Sequence, residues 1–292
     1  MNILEYVDRC WSTRNEYVTR RPDHFYASDA SIKIPNPWGE MEPHGTCIRA
    51  QFYRVTGTKL PMAEMDTRRM DYGNAIHDHE TQRFIRARIL HSSEVSFYDP
   101  EHNVSGRIDN LVYNPFSQPG NLELLGVEVK SVGGYAGSQG VITAKAGQDP
   151  EPKVAHVLQC MIYMDWMHRR HGSQLKWLLH YHDRDSGKSA EHVLVMTPDG
   201  ISVNGQVREW KMADVYARWD LLKSFIEAGQ VPPRDYTISY DRNRLLLLLD
   251  RQQLSKTNAA LVRRNKPVDL GDWQCRYCRW KMICHEGDAD AT

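Results

Sequence analysis

The chain has 292 residues, with 37 basic and 37 acidic side chains in balance and 41% hydrophobic residues. That suits one large globular domain or two packed lobes, and it excludes a protein whose net charge alone would attract nucleic acid. No apolar run comes near the length needed to span a bilayer, the longest being Leu245–Leu249.

The opening residues lack the basic-then-apolar pattern of a secretory signal, so the expectation is a cytoplasmic protein with no membrane partner. Zero net charge still permits a local basic groove that holds phosphates. Arg83, Arg86 and Arg88, Arg169 and Arg170, Arg242 and Arg244, and Arg263, Arg264 and Lys266 form basic clusters. Each reads equally as a phosphate contact or a solvated helix face.

Residues 1–40 read as irregular, broken by Pro22, Pro35 and Pro37. A helix is predicted over about 45–54. Another is predicted over about 71–90, where Ile76, Glu80, Phe84 and Ala87 fall near one face. The period then changes to two. Strands are predicted over 94–98, 104–113 and 122–131, with a turn at Asn114-Pro115 and Gln118-Pro119-Gly120-Asn121. Residues 133–152 hold five glycines and two prolines and read as a mobile loop able to close over a bound strand. A helix over 154–171 carries the apolar stripe Val154, Val157, Leu158, Met161, Ile162 and Trp166. Strands over 175–182 and 191–196 form a hairpin about the turn at 183–187. A long helix is predicted over 205–229, ended by Gly229, and residues 241–266 read as helical. This order predicts an α/β (α+β) protein with a mixed central sheet flanked by helices. Its regions are an N-terminal irregular extension (1–44), a core (45–230) and a C-terminal helical, cysteine-rich region (231–292).

Asp109 sits on one predicted strand, and Glu128 and Lys130 sit on the next, nineteen residues on. Alternate residues of a strand share a face, so Glu128 and Lys130 point one way and Val129 points into the core. A pure packing strand would not place two charges beside another carboxylate. Phosphodiester cleavage needs such a set. A divalent metal, Mg²⁺ or Mn²⁺, polarises the phosphate and activates water, and it takes hard oxygen ligands. Asp109 and Glu128 supply carboxylates, the Val129 carbonyl can add a third oxygen, and Lys130 can hold the nucleophilic water and stabilise charge.

Gly106-Arg107-Ile108-Asp109 followed by Glu128-Val129-Lys130 resembles the PD-(D/E)XK nuclease superfamily in its RecB-like branch. This chain carries Arg107-Ile108, not Pro, before Asp109, as is common in that branch. Upstream, Gly73-Asn74-Ala75-Ile76-His77 resembles the branch's Gly-x-x-x-His helix, which implies His77 as a metal ligand with Asp109 and Glu128. Downstream, Gln159-Cys160-Met161-Ile162-Tyr163 resembles its Gln-x-x-x-Tyr motif. The resemblance implies that Gln159 and Tyr163 line the active site and orient DNA and Lys130. It also implies a restriction-endonuclease-like core.

Six cysteines in a chain without an export signal argue against a disulfide framework. Cys275, Cys278 and Cys284 cluster at the C-terminus and point to metal. A fourth ligand is open among Cys47, Cys10, Cys160 and His285, with Cys160 better explained as a small core residue. Gly45-Thr46-Cys47-Ile48-Arg49 looks like the start of RecB-like nucleases in which one cysteine precedes the core and three follow it. The CRISPR-associated adaptation nucleases and AddB-type helicase–nucleases share this split. That resemblance implies a [4Fe–4S] cluster on Cys47, Cys275, Cys278 and Cys284; zinc is the alternative, since Cys₄ zinc sites have similar spacings.

No phosphate-binding loop of an ATP-driven motor occurs in the sequence. The expected function is a stand-alone, metal-dependent deoxyribonuclease, an exonuclease acting at DNA ends or on single strands. Phe52, Tyr53, Tyr135 and Trp166 can stack on bases or fill a core. Recombination, repair and CRISPR-adaptation proteins are candidate partners, and ring-shaped oligomers occur among end-processing nucleases of this fold. The alternative is a DNA-end-binding or assembly subunit with a vestigial site, which the intact Asp109, Glu128 and Lys130 set disfavours.

Overall fold

The computed structural model describes residues 3, 24–57, 64–118, 123–144, 147–172 and 176–285, without the side chains of 64–67, 69, 135 and 136. The order begins with β1 (Phe25–Tyr26), β2 (Ser31–Pro35), β3 (Met41–Gly45), α1 (Ile48–Val55) and α2 (Glu64–Arg86). It continues with β4 (Leu90–Asp99), β5 (Val104–Tyr113), β6 (Leu124–Val132), the one-turn α3 (Tyr135–Ser138) and α4 (Val154–His171). Then come β7 (Lys176–Asp183), β8 (Ser189–Thr197), β9 (Gly200–Val203), β10 (Gln206–Arg208) and α5 (Met212–Glu227). The chain closes with α6 (Arg242–Asp250), α7 (Lys256–Arg263), α8 (Trp273–Arg276) and α9 (Lys281–His285).

Eight strands form one mixed sheet in the order β1–β5–β6–β7–β8–β9–β10, with β4 on the other edge of β5. The α+β expectation therefore holds. The β6–β7 pair is parallel, and parallel neighbours need a crossover. α4 supplies it, lying over the strands it joins. The main core packs against that face of the sheet and includes Ile108, Leu158, Met161, Tyr163, Trp177 and Leu179. α4 stops at Gly172, whose φ of 67° is the left-handed turn that a Cβ disfavours. On the opposite face, Val112, Leu125, Val127 and Val129 form a smaller core with Ile76 and Phe84 of α2. Val129 thus points into a core, as its position in the strand predicts.

Several segments differ from the sequence expectation. Residues 24–45 are not irregular: β2 and β3 pair as a hairpin, and β1 joins the main sheet. Pro35 ends β2 and Pro37 lies in the turn, where the Asn36 side chain accepts from the Trp38 and Glu40 N–H groups. Pro22 and Cys10 lie outside the described residues. The helix expected over 205–229 starts only at Met212, because Asn204 and Gly205 take φ of 51° and 85° and turn β9 into β10. The 241–266 segment is two helices, capped by Asp241 and Ser255. The segment 133–152, expected to be mobile, is tied down over its described residues. Val141 is buried in the main core, its carbonyl accepts from His192 Nε2 at 2.9 Å, and Glu151 N donates to Gly140 O at 2.7 Å. Among the described residues, no helix is long and apolar enough to cross a membrane.

The two halves of the chain are joined through Asp235. Its Oδ2 accepts from Arg218 Nη2 at 2.5 Å and from the Ile48 N–H, at the start of α1, at 2.7 Å. Both ion-pair side chains are at most 9% exposed. Breaking a buried pair strands the remaining charge. Asp235→Ala is therefore expected to cost about 3–5 kcal/mol, read as a shift in the urea unfolding midpoint at unchanged slope.

Candidate functional site

The site lies where the sheet opens. β6 pairs with β5 only over Asn110–Tyr113, while β1 pairs with the same edge of β5 at Val104 and Ser105. Between them, residues 106–109 have no strand neighbour on that edge among the described residues. The backbone groups of the fork are met by side chains instead. Val129 N–H donates to Asp109 Oδ2 at 2.8 Å, and Arg107 O accepts from Tyr163 Oη at 3.0 Å. A strand residue's N–H and C=O face the same edge, so the Val129 carbonyl also points into the fork. Gly106 is required here, because a Cβ would collide with the Phe97 and Tyr163 rings.

α4 reaches the fork from one face and α2 from the other. Gln159 accepts from Lys130 Nζ at 2.9 Å through Oε1, and its Nε2 donates to Glu128 Oε1 at 2.8 Å and to Tyr163 Oη at 2.7 Å. Those contacts fix the amide's orientation. Lys130 Nζ also donates to Glu128 Oε1 at 2.6 Å. From α2, His77 Nδ1 lies 3.4 Å from Asp109 Oδ1. The structure thus brings Asp109, Glu128, Val129, Lys130, Gln159, Tyr163 and His77 together.

Burial, followed by the charge of Asp109, pushes the Glu128 carboxyl up from 4.5 to about 8. Burial also opposes charge on Asp109, but the His77 hydrogen bond and the charges of His77 and Lys130 outweigh it and hold the carboxyl below its usual range. His77 is raised: Asp109 and Glu128 overcome its burial. Lys130 is raised, since Glu128 and Asp109 more than offset desolvation. Glu128 is buried, yet among the described residues only Oε1 has hydrogen-bond partners; Oε2 has none. A buried carboxylate oxygen without a donor is costly, and it suits either a proton or a cation. Asp109 and His77 are close enough to act on the Glu128 charge, and the Val129 carbonyl faces the same fork; together with Glu128 they make a donor set that is mostly hard oxygen and fits Mg²⁺ or Mn²⁺.

Sequence reasoning missed Glu94, which lies within 4.8 Å of His77 and Asp109 when ligand atoms are compared. It stands between Ser93 and Val95, which pair with Asn110 and Ile108, so it faces Asp109 across β4 and β5. Its φ of 54° is unusual for a non-glycine in a strand. Its carboxylate accepts from Arg107 Nε at 2.6 Å. Nothing in the alternation of Glu94–Tyr98 signals this.

Several candidate nucleic-acid contacts have partners within the chain. Phe52 is buried, and Trp166 stacks on Phe97 with ring centroids 4.7 Å apart. Arg169 is engaged by Asp99, Glu101 and Asp165, and Arg244 by Glu40 and Glu42. Arg242 donates to Val262 O. Tyr135's side chain lies outside the described residues.

The cysteines converge as well. Cys47, at the start of α1, lines one pocket with Cys275, Cys278 and Cys284, and with Tyr53 and His285. Burial and then the other three sulfurs push the Cys275 thiol up to about 12. Thiols that raise one another in this way are relieved by a bound cation. Guanidinium groups support the set: Arg234 Nε lies 3.3 Å and Arg49 Nη1 3.8 Å from Cys284 Sγ. The four residues fit a thiolate-bound metal centre. Cys160 is fully buried in the main core, apart from them.

No family model and no curated protein matches the chain. Among solved structures, the crystal structure of SSO0001 aligns over 97% of this chain and 96% of its own, at 15% identity and a TM-score of 0.46. A likeness of that size carries no argument about function.

Proposed function

We propose that the chain is a metal-dependent deoxyribonuclease of the PD-(D/E)XK superfamily, RecB-like branch, acting from DNA ends on single-stranded or unwound DNA. The observation that carries the reading is Oε2 of buried Glu128, without a hydrogen-bond partner among the described residues and set in a strand fork with Asp109 and Lys130. A divalent ion bound there supplies a polarised phosphate and an activated water. The chain's own residues do the positioning. Asp109 is held by the Val129 N–H. Lys130 is aimed by Glu128 and Gln159, and Gln159 is aimed by Tyr163. Lys130, with its side chain 20% exposed, can reach a water or a phosphate oxygen from that fixed base. The test is degradation of linear DNA labelled at the 5′ or 3′ end, single- and double-stranded, with Mg²⁺ or Mn²⁺. Failure to cleave any of these with either metal sinks the enzymatic reading and leaves a DNA-end-binding subunit.

The same reading gives the cysteine pocket a [4Fe–4S] cluster, tying the segment before the core to the segment after it. A cytoplasmic place belongs to it, because thiols stay reduced there. Protein purified without oxygen is expected to be brown and to hold about four irons per chain. Cys278→Ser is expected to lose most of the colour, followed by visible absorption and iron analysis. A colourless wild type with one tightly held zinc would replace the cluster with a zinc site.

A further inference from the structure

A second cluster of ligand-type side chains lies across the sheet from α4, away from the fork. Glu80 projects from α2 in the apolar stripe between Ile76 and Phe84, and only 2% of its side chain is exposed. Opposite it, His180 and His182 occupy alternate positions of β7, so both imidazoles face α2. They stand beside Val129 and Ser131 of β6 in the parallel register. His180 Nε2 lies 3.8 Å from Glu80 Oε2, and His182 Nδ1 lies 3.8 Å from Glu80 Oε1.

Those separations are too long for hydrogen bonds. His180 Nε2 and His182 Nδ1 are buried and have no hydrogen-bond partner among the described residues. Two buried nitrogens aimed at one buried carboxylate, beyond hydrogen-bond distance of it, are poorly satisfied by protein alone. Ligand atoms about 2.0–2.1 Å from a tetrahedral ion sit about 3.4 Å apart, close to the spacing found here. One ligand atom from each of the three residues lies within 4.8 Å of the others. Arg83 Nη1, at 3.1 and 3.0 Å from the two Glu80 oxygens, supplies the only described cation contacting them. Its side chain is 56% exposed and free to swing away.

We propose that Glu80, His180 and His182 form a binding site for one borderline transition-metal ion of the Zn²⁺ class, separate from the Asp109–Glu128 centre. Two imidazoles and one carboxylate select such an ion over Mg²⁺, which prefers oxygen donors and retained waters. Three protein ligands leave a fourth position for water. The ion ties α2 to β7. Since α2 also presents His77, three residues before Glu80, the bond holds the helix that reaches the fork.

Equilibrium dialysis of the full chain against Co²⁺, with Mg²⁺ in excess to occupy oxygen-rich sites, tests this. The wild type is expected to retain one more equivalent of Co²⁺ than His180→Asn/His182→Asn. Cobalt bound by the cysteines appears in both proteins and cancels. Equal retention overturns the proposal. If the double variant does not fold, crystals of the wild type soaked in ZnCl₂ decide it by anomalous diffraction. A peak about 2.0–2.2 Å from Glu80, His180 and His182 is the expected result; no peak there, with zinc visible elsewhere, overturns it.

Discussion

Lys130→Ala is expected to slow Mg²⁺-dependent cleavage of end-labelled DNA by about 100- to 10,000-fold with the fold intact. The ammonium of Lys130 is held at 2.6 Å from Glu128 and 2.9 Å from Gln159, so its position is set before any substrate arrives. Pre-set charge stabilises a transition state without reorganisation, which is why its loss falls on the chemical step. Removing it also leaves Glu128 with Gln159 as its one donor, raising the carboxyl further. Lys130→Arg is not a rescue, because a planar fork cannot replace a compact ammonium between two fixed acceptors. Single-turnover rates, with circular dichroism as the fold control, separate the outcomes. A wild-type rate in Lys130→Ala would remove this residue from the chemistry. An unfolded variant would be judged through Gln159→Ala, which releases Lys130 without deleting its charge and is expected to cost roughly tenfold or more.

Much of this was legible because the site is built on regular elements. Val104–Tyr113 and Val154–His171 were readable to the residue, since β-branched alternation and a 3.6-residue apolar stripe each persist for several turns or pleats. Strand alternation alone put Glu128 and Lys130 on the face opposite Val129. What sequence could not provide was the fork. β5 and β6 part after the Asn110–Val127 pair, and β1, only two residues long, joins the same edge of β5 beyond the gap, at Val104 and Ser105. A two-residue strand has no periodicity to read. Asn204-Gly205 is a readable hairpin signal, obscured by the helical pattern that follows it in 212–227. Glu80 was also visible, as a lone carboxylate in an apolar stripe. Its meaning needed His180 and His182, a hundred residues away, to be brought opposite it.

Divalent-metal affinity at the fork is expected to rise at least about tenfold per pH unit between pH 6 and 8, about 1.4 kcal/mol for each proton displaced, and to flatten above about 8. Burial pushes the Glu128 carboxyl up to about 8, so the metal-free site is expected to hold a proton there at neutral pH that a cation must displace. His77, also raised, adds a second proton in the same direction. The sign for stability follows. A raised group stabilises the folded state below its unfolded pKa and loses that contribution as pH rises through the folded value. Glu128 and His77 both do so, whereas Asp109, lowered, acts only in acid. The metal-free protein is therefore expected to melt lower at pH 8.5 than at pH 6, and Mg²⁺ is expected to restore more stability at the higher pH. Calorimetric titration in two buffers of different ionisation enthalpy measures the protons released at pH 7. No release, together with an affinity flat from pH 6 to 8, would mean that Glu128 is already ionised without metal. Asp109→Asn gives the internal check: deleting the neighbouring charge lets Glu128 ionise more easily, so its thermal stability should fall less between pH 6 and 8.5 than that of the metal-free wild type.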